Sequence, residues 1–479
     1  MNTVMHIKSF ISWAILLSVV AVLVGVFVVG IADVFAANPE TRILTRIFVQ
    51  DHEQRSVRWA DITKESSGKL AFSGFNEIQG FSKLDPKRQT LVQMRESNGM
   101  IVVGVRDDDE GAFQSGWILF HTGVSYSDHG DHGHWSMKKK PAVWDSRLDQ
   151  KQGNPAHVYL YDGVFYLAND KLNGYTRLDP TKYSTVSGRK LGRDEPMFLK
   201  GGGNHITLAV SGSRVGYSSW IDGGGPNKGK IDVTPLRMDG KGEIAYSFHL
   251  PSGVIHGATA CMDKVFFAPS DGIFWVQADH NLKLKSEDVK LHHISLGKDG
   301  EKPRRTGAFA QMDHHVLCVT GKETMSNLVI LNAMDSDPQA RMIPLNGKKG
   351  CKPLTPVITK GSDSKPLAFI FHDAPKDAAS FCDIVYLDPN GDGNFSDAEI
   401  VKSFEVGKSC VEGHYGHHDI TFDADYQYGF ITNPGEGTIQ VLSMRELKIV
   451  QELKQESPCP HTSSRVEESR FRIKPISLE

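Results

Sequence analysis

The chain has 479 residues, with 54 Lys and Arg against 57 Asp and Glu for a net charge of −3; 23% of it is charged and 39% hydrophobic. Those proportions exclude a disordered or collagen-like chain, and the absence of a basic excess argues against a nucleic-acid partner. Glycine fills 46 positions, about one in ten and above the usual share of about 7%, which favours a turn-rich fold, and the 20 histidines are unevenly placed.

From Ser9 to Ala32 the chain carries no charge, Lys8 precedes the run, and Val34-Phe35-Ala36 offers the small-residue pattern of a signal-peptidase site. Residues 1–36 therefore read as a signal peptide, with an uncleaved N-terminal anchor as the alternative because the apolar run is long enough to span a bilayer. Either way residues 37–479 are expected outside the cytoplasm, since Lys8 stays on the inner side. Removing 36 of the 479 residues leaves 443, too many for an ordinary domain of roughly 100–200 but acceptable for one large all-β domain. Six cysteines in an exported chain can form up to three disulfides or remain as buried thiols. None forms a Cys-x-x-Cys pair, so thioredoxin-like chemistry and c-type haem attachment lack support.

Along the body, residues 46–73 supply strands such as 46–50 and 56–59 without an opening strand. A strand–turn–strand unit opens near Leu91, and a long insertion, residues 121–155, follows it. Inside that insertion Asp128-His129-Gly130-Asp131-His132-Gly133-His134 places three imidazoles and two carboxylates within seven residues. Zinc accepts both ligand types in a tetrahedral set, and the two glycines let the backbone bend so that ligands converge. The bland alternative is a solvated polar loop.

Further units open at His157, His205 and His256, spaced by 48 and 51 residues, and others open near Gly307 and Leu367. Next comes Asp388-Pro389-Asn390-Gly391-Asp392-Gly393-Asn394, ending at Glu399, which matches the twelve-residue calcium loop of an EF-hand. Its flanks read as strands, so it would be a calcium-binding hairpin loop, with an ion-free acidic turn as the alternative. Asp388, Asn390, Asp392, Asn394 and Glu399 are the candidate ligands.

The clearest unit is residues 417–454, where strands at 419–422, 428–432, 438–442 and 449–453 alternate apolar and polar positions between tight turns. Four short strands in about 40–50 residues make one propeller blade. The C-terminal residues 469–473 look like one more strand without the rest of a blade. Pairing them with the incomplete N-terminal unit closes a ring and leaves no free edge. The expected fold is all-β: a single β-propeller over residues 42–479, with eight blades favoured and seven the alternative.

A propeller also gives the histidines a geometry. His157, His205, His256, His418 and His461 sit at or just before opening strands, and the innermost strands of a propeller line its central channel. Residues about fifty apart in sequence can therefore be neighbours in space. The plain alternative is that each one hydrogen-bonds backbone at a blade entry. His314, His315, His414 and His417 are expected at the surface. No His-Glu-x-x-His, Gly-x-Ser-x-Gly or Gly-x-x-x-x-Gly-Lys motif occurs, so a binding protein is favoured over an enzyme.

The repeat at 417–454 looks like the YVTN-type propeller repeat. Together with GVSYSDHGDHGH (123–134), PAHVYLYDGVFYLAND (155–170) and IHGATACMDKVFFAPSDGIFWV (255–276), the sequence resembles the periplasmic zinc metallochaperones of the AztD type, β-propellers that pass zinc to the solute-binding protein of a zinc ABC importer. The resemblance implies a periplasmic location, zinc as cargo and that solute-binding protein as partner. Asp128, His129, Asp131, His132 and His134 are the mobile candidate ligands, with His157, His205, His256 and His418 the pre-formed ones. Many members carry a His/Asp-rich tail after the signal peptide, whereas residues 37–60 here hold only His52. The competing function is a periplasmic oxidoreductase with a histidine-ligated metal centre.

Overall fold

Short alternating segments bounded by Gly, Asn and Asp turns fold into antiparallel four-stranded sheets, as their period of two dictates. The structure, a computed structural model, describes residues 43–128, 133–183, 196–236, 242–375, 378–411, 416–454 and 471–475, without the side chains of residues 128, 133, 134 and 471–475. The chain divides into two compact units, residues 1–44 with 63–71 and residues 45–62 with 72–479. Described residues of the smaller unit are Ile43, Leu44 and 63–71, which include a tight turn where Lys69 accepts the Glu65 N–H at 2.9 Å.

The larger unit is the propeller, and it has eight blades rather than seven. In the last blade the strands are Ile420–Phe422, Tyr428–Asn433, Thr438–Ser443 and Lys448–Lys454, within two residues of the sequence expectation. Closure is also as expected: Phe471–Pro475 pairs with Ile43–Asp51, from Ile47 opposite Pro475 to Asp51 opposite Phe471. The unit expected to open near Leu367 differs, because its opening strand is Val357–Lys360 and Leu367 lies in the next one, Pro366–Asp373.

Apolar faces of neighbouring blades interlock and form the core. Phe48, Val57 and Trp59 of the first blade meet Leu91, Ile101, Ile118 and Phe120 of the second. Trp117 and Val102 of the second blade meet Phe165 and Leu167 of the third. This stacking fixes each blade's angle to the next and so aims the inner strands at the channel. Cys261, Cys318, Cys351 and Cys382 are buried free thiols. The buried-thiol alternative therefore holds for those four, and Cys459 lies outside the described residues. Among the described residues no helix is long and apolar enough to cross a membrane.

One half-buried acid makes stability depend on pH. Glu96 turns back at the end of Gln89–Ser97 and accepts the Gly99 N–H at 2.9 Å. Burial pushes its carboxyl up to about 7, against the lowering by that hydrogen bond. The fold thus holds a proton between about 4.5 and 7 that the unfolded chain releases, so this group lowers stability as pH rises through that window. Glu96→Gln is expected to raise stability by roughly 2 kcal/mol at pH 8 and by almost nothing near pH 4.5. Urea midpoints at the two pH values check this.

Candidate metal centre

Three of the predicted blade-opening histidines come together. His157 lies in Pro155–Tyr161, the inner strand of the third blade, just after a register shift at Pro155. His205 and His256 each precede an inner strand, Leu208–Ser211 and Ala258–Cys261. Asn204 immediately before His205 has φ 65° and Val254 two residues before His256 has φ 57°. A left-handed backbone is costly for a β-branched residue, so the surrounding fold imposes that turn. The ring centroids stand 4.6 Å apart for His157 and His205, 5.2 Å for His205 and His256, and 6.4 Å for His157 and His256.

Nitrogen chemistry is ordered around this triad. His157 Nε2 and His205 Nε2 hydrogen-bond each other at 2.9 Å. His205 Nδ1 is 3.4 Å from Asp170 Oδ2, and Asp170 is held in turn by the Ile206 N–H at 3.0 Å and by Arg106 at 3.6 Å. His256 Nδ1 lies 3.1 Å from the Gly307 carbonyl, so it must be the protonated nitrogen, leaving a lone pair on Nε2. A carboxylate or carbonyl behind an imidazole is the usual support of a metal-bound histidine. Burial holds the His256 pKa below its ordinary value, with His205 and Arg305 adding to the lowering, so its ring is neutral and ligand-ready at neutral pH.

Among the described residues no group of three or more His, Cys, Asp or Glu is already arranged to hold a metal ion. The His157–His205 nitrogen contact of 2.9 Å is short for two ligands of one ion. Two nitrogens on one tetrahedral zinc stand about 3.3 Å apart, given Zn–N bonds of about 2.0–2.1 Å. An ion entering here would replace that hydrogen bond and draw in His256, a shift of a few tenths of an ångström at the pair.

The other predicted residues are placed differently. His418 stands with His417 on Asp373, through Nδ1 contacts of 2.8 and 2.6 Å. Burial raises the Asp373 pKa, but the two imidazole hydrogen bonds outweigh it and hold the carboxyl below its usual value. His418 is buried, its Nε2 has no hydrogen-bond partner among the described residues, and its ring stacks on Phe371 at 5.7 Å. His157 and His256 of the triad line one cavity of about 1080 Å³ together with His417 and His418. His315 is buried, not on the surface, and stacks on Phe395 at 3.8 Å.

Of the histidine-rich insertion, the structure describes a hairpin, Ser125–Asp128 paired with Gly133–Ser136. It lies within the second blade rather than between blades, because Ala142–Asp149 is that blade's outer strand. His129, Asp131 and His132 fall outside the described residues, as do the side chains of Asp128 and His134, and His414, His461 and the leader fall outside as well. Arg46 fixes the hairpin's root. Its guanidinium donates to the carbonyls of Thr122, Lys139 and Met137 at 3.1, 2.8 and 3.1 Å, and pairs with Asp61 at 2.7 Å. A Cβ on Gly123, at φ 73°, would meet the Lys139 carbonyl at 2.2 Å, so glycine is required there.

The 388–399 loop joins two strands, Ala379–Tyr386 and Glu399–Lys408, as its flanks implied. Asp388 accepts the N–H groups of Gly391, Asp392 and Gly393 at 2.9–3.1 Å. Asp392 accepts from Asn394, Asn390 accepts from Asp392, and Glu399 is exposed at the start of the next strand.

Sequence reasoning missed Asp170, Arg106 and His417. Asp170 sits at the head of a one-turn helix, Asp170–Leu172, and nothing in its local sequence marks it as a histidine's partner. His417 could have been found only by pairing it with Asp373, 44 residues away.

No family model matches the chain, and no curated protein matches it. Among solved structures, apo AztD from Citrobacter koseri is similar at 14% identity, with a TM-score of 0.56 over 91% of this chain and 100% of that one. A second crystal structure of Citrobacter koseri AztD matches at 15% identity with the same coverage and TM-score. At these identities the likeness is one of fold.

Proposed function

We propose that the protein is a zinc-binding metallochaperone of the periplasm, which holds zinc and hands it to the solute-binding protein of a zinc ABC importer. The observation that carries this reading is the convergence of His157, His205 and His256 from three successive blades, with Asp170 and Gly307 behind two of the rings. Its propeller shares the AztD fold, and its motifs resemble that family's. Neutral imidazoles suit zinc, and three protein ligands leave a fourth position open to water or to a ligand of the acceptor. Transfer then proceeds by ligand exchange: the acceptor's side chain enters that position before the histidines let go. The hairpin residues Asp128, His129, Asp131, His132 and His134 are assigned initial capture, and His418 with His417 a neighbouring part of the channel. The proposal also gives the 388–399 loop a structural calcium ion, with no part in transfer.

The test uses the mature protein loaded with one equivalent of zinc and mixed with a zinc-specific solute-binding protein. Zinc is expected to reach the acceptor faster than it reaches a small chelator that must wait for spontaneous release. Failure to retain zinc after loading would remove this reading. Visible absorption bands or a redox-active centre would instead favour the oxidoreductase.

A further inference from the structure

The charges around the triad do not suit a bare dication. Asp170 is the carboxylate against it, and that carboxylate is already shared with Arg106. On the other side stands Arg305. Two reciprocal contacts tie its segment to that of His256: Arg305 Nη2 donates to the Val254 carbonyl at 3.1 Å, and His256 Nδ1 donates to the Gly307 carbonyl at 3.1 Å. The guanidinium and the imidazole are thereby held as neighbours at the wall of the same cavity. Arg305 is half-buried and charged, yet among the described residues its one hydrogen-bond acceptor is that carbonyl, and no carboxylate pairs with it. Arg95, Lys322 and Lys352 line the cavity too, against Glu323 and Asp419.

A guanidinium with unused donors beside a metal with an open position is matched by one ligand type. A carboxylate gives one oxygen to the metal and the other to the arginine fork, and it cancels charge at both. We infer that the cavity is also an anion site, and that zinc is held there together with a small carboxylate bridging the ion and Arg305. The cationic lining points to a di- or tricarboxylate, so the cargo class would be a zinc carboxylate chelate rather than the aquo ion. This inference rests on the zinc reading above.

The experiment uses the full mature chain loaded with Co²⁺, whose visible spectrum reports its coordination, and titrates it with acetate and then succinate. A saturable spectral change is expected with both, with succinate about tenfold tighter because its second carboxylate meets the remaining cations. Arg305→Met is expected to weaken succinate binding at least tenfold, while binding Co²⁺ as well as or better than the parent in anion-free buffer, since a neighbouring positive charge is gone. Arg305→Lys should fall between the two and serves if the methionine variant does not fold. Co²⁺ uptake with no spectral response to either anion would overturn the inference and leave the metal site standing. An equal response in the parent and both Arg305 variants would also overturn it. No Co²⁺ uptake with or without anion would sink the zinc reading itself.

Discussion

Replacing His157, His205 and His256 together by alanine is expected to abolish stoichiometric zinc binding at the channel, lowering affinity by more than about a thousandfold. Each imidazole supplies one bond to the ion, and without the three no described side chain at that spot can close a tetrahedral site. Among single changes His205→Ala should cost most, because that ring is the middle one: it touches His157 at 2.9 Å, lies 5.2 Å from His256 and is backed by Asp170. Asp170→Asn keeps all three rings and should weaken zinc by about 10–100-fold, the usual effect of losing a carboxylate behind a ligand histidine. His418→Ala, whose ring is committed to Asp373, should leave the triad's affinity within a few-fold. Competition with a chromophoric chelator measures all four. Affinity should also fall as pH drops below roughly 6.5, where imidazoles gain protons and cease to be ligands. Burial keeps His256 neutral to lower pH than an ordinary histidine. Equal affinity in the triple variant would place the zinc elsewhere, with the hairpin histidines first in line.

Most of the fold is written in local pattern, and the site is not. The blade at 417–454 is legible because its strands are half-buried and alternate: Lys448–Lys454 shows exposed and covered positions in turn. Pro366–Asp373 is buried at seven successive positions. A continuous apolar run of that kind carries no register, so by pattern alone it reads as its blade's opening strand when it is the second. Blade spacing did locate the triad, since equivalent positions of successive repeats must converge in a closed ring. The same rule grouped His418 with those three, but His418 finds Asp373 instead. Residues 417 and 418 precede their strand, so both rings can face one carboxylate where strand alternation would have sent them to opposite faces. Asp170 and Arg305 were invisible for a related reason: their roles come from contacts 36 and 51 residues away, between blades whose mutual packing is a tertiary fact.

Ending the chain at Lys454 is expected to be the most damaging change to stability. The strand Phe471–Pro475 completes the first blade by pairing with Ile47 to Asp51, and it lies against the first two strands of the eighth blade. Without it, five strand positions lose their partners along one edge. Those five residues, Ile47, Phe48, Val49, Gln50 and Asp51, are all buried, so their peptide groups would open to water or to another chain beside apolar side chains. The first blade would be left one strand short, with Ile43–Asp51 unpaired on the side that Phe471–Pro475 covers. The expected loss exceeds about 3 kcal/mol, read as a lower urea midpoint and a broadened transition. Concentration-dependent association should follow, because the exposed edge is a template for a second copy. Zinc binding separates this from general collapse. The triad belongs to the third, fourth and fifth blades, so below its new transition the shortened chain should still take up the metal. An unchanged midpoint would mean that the terminal strand does not close the ring in solution, and that the first blade is stable with its inner edge open.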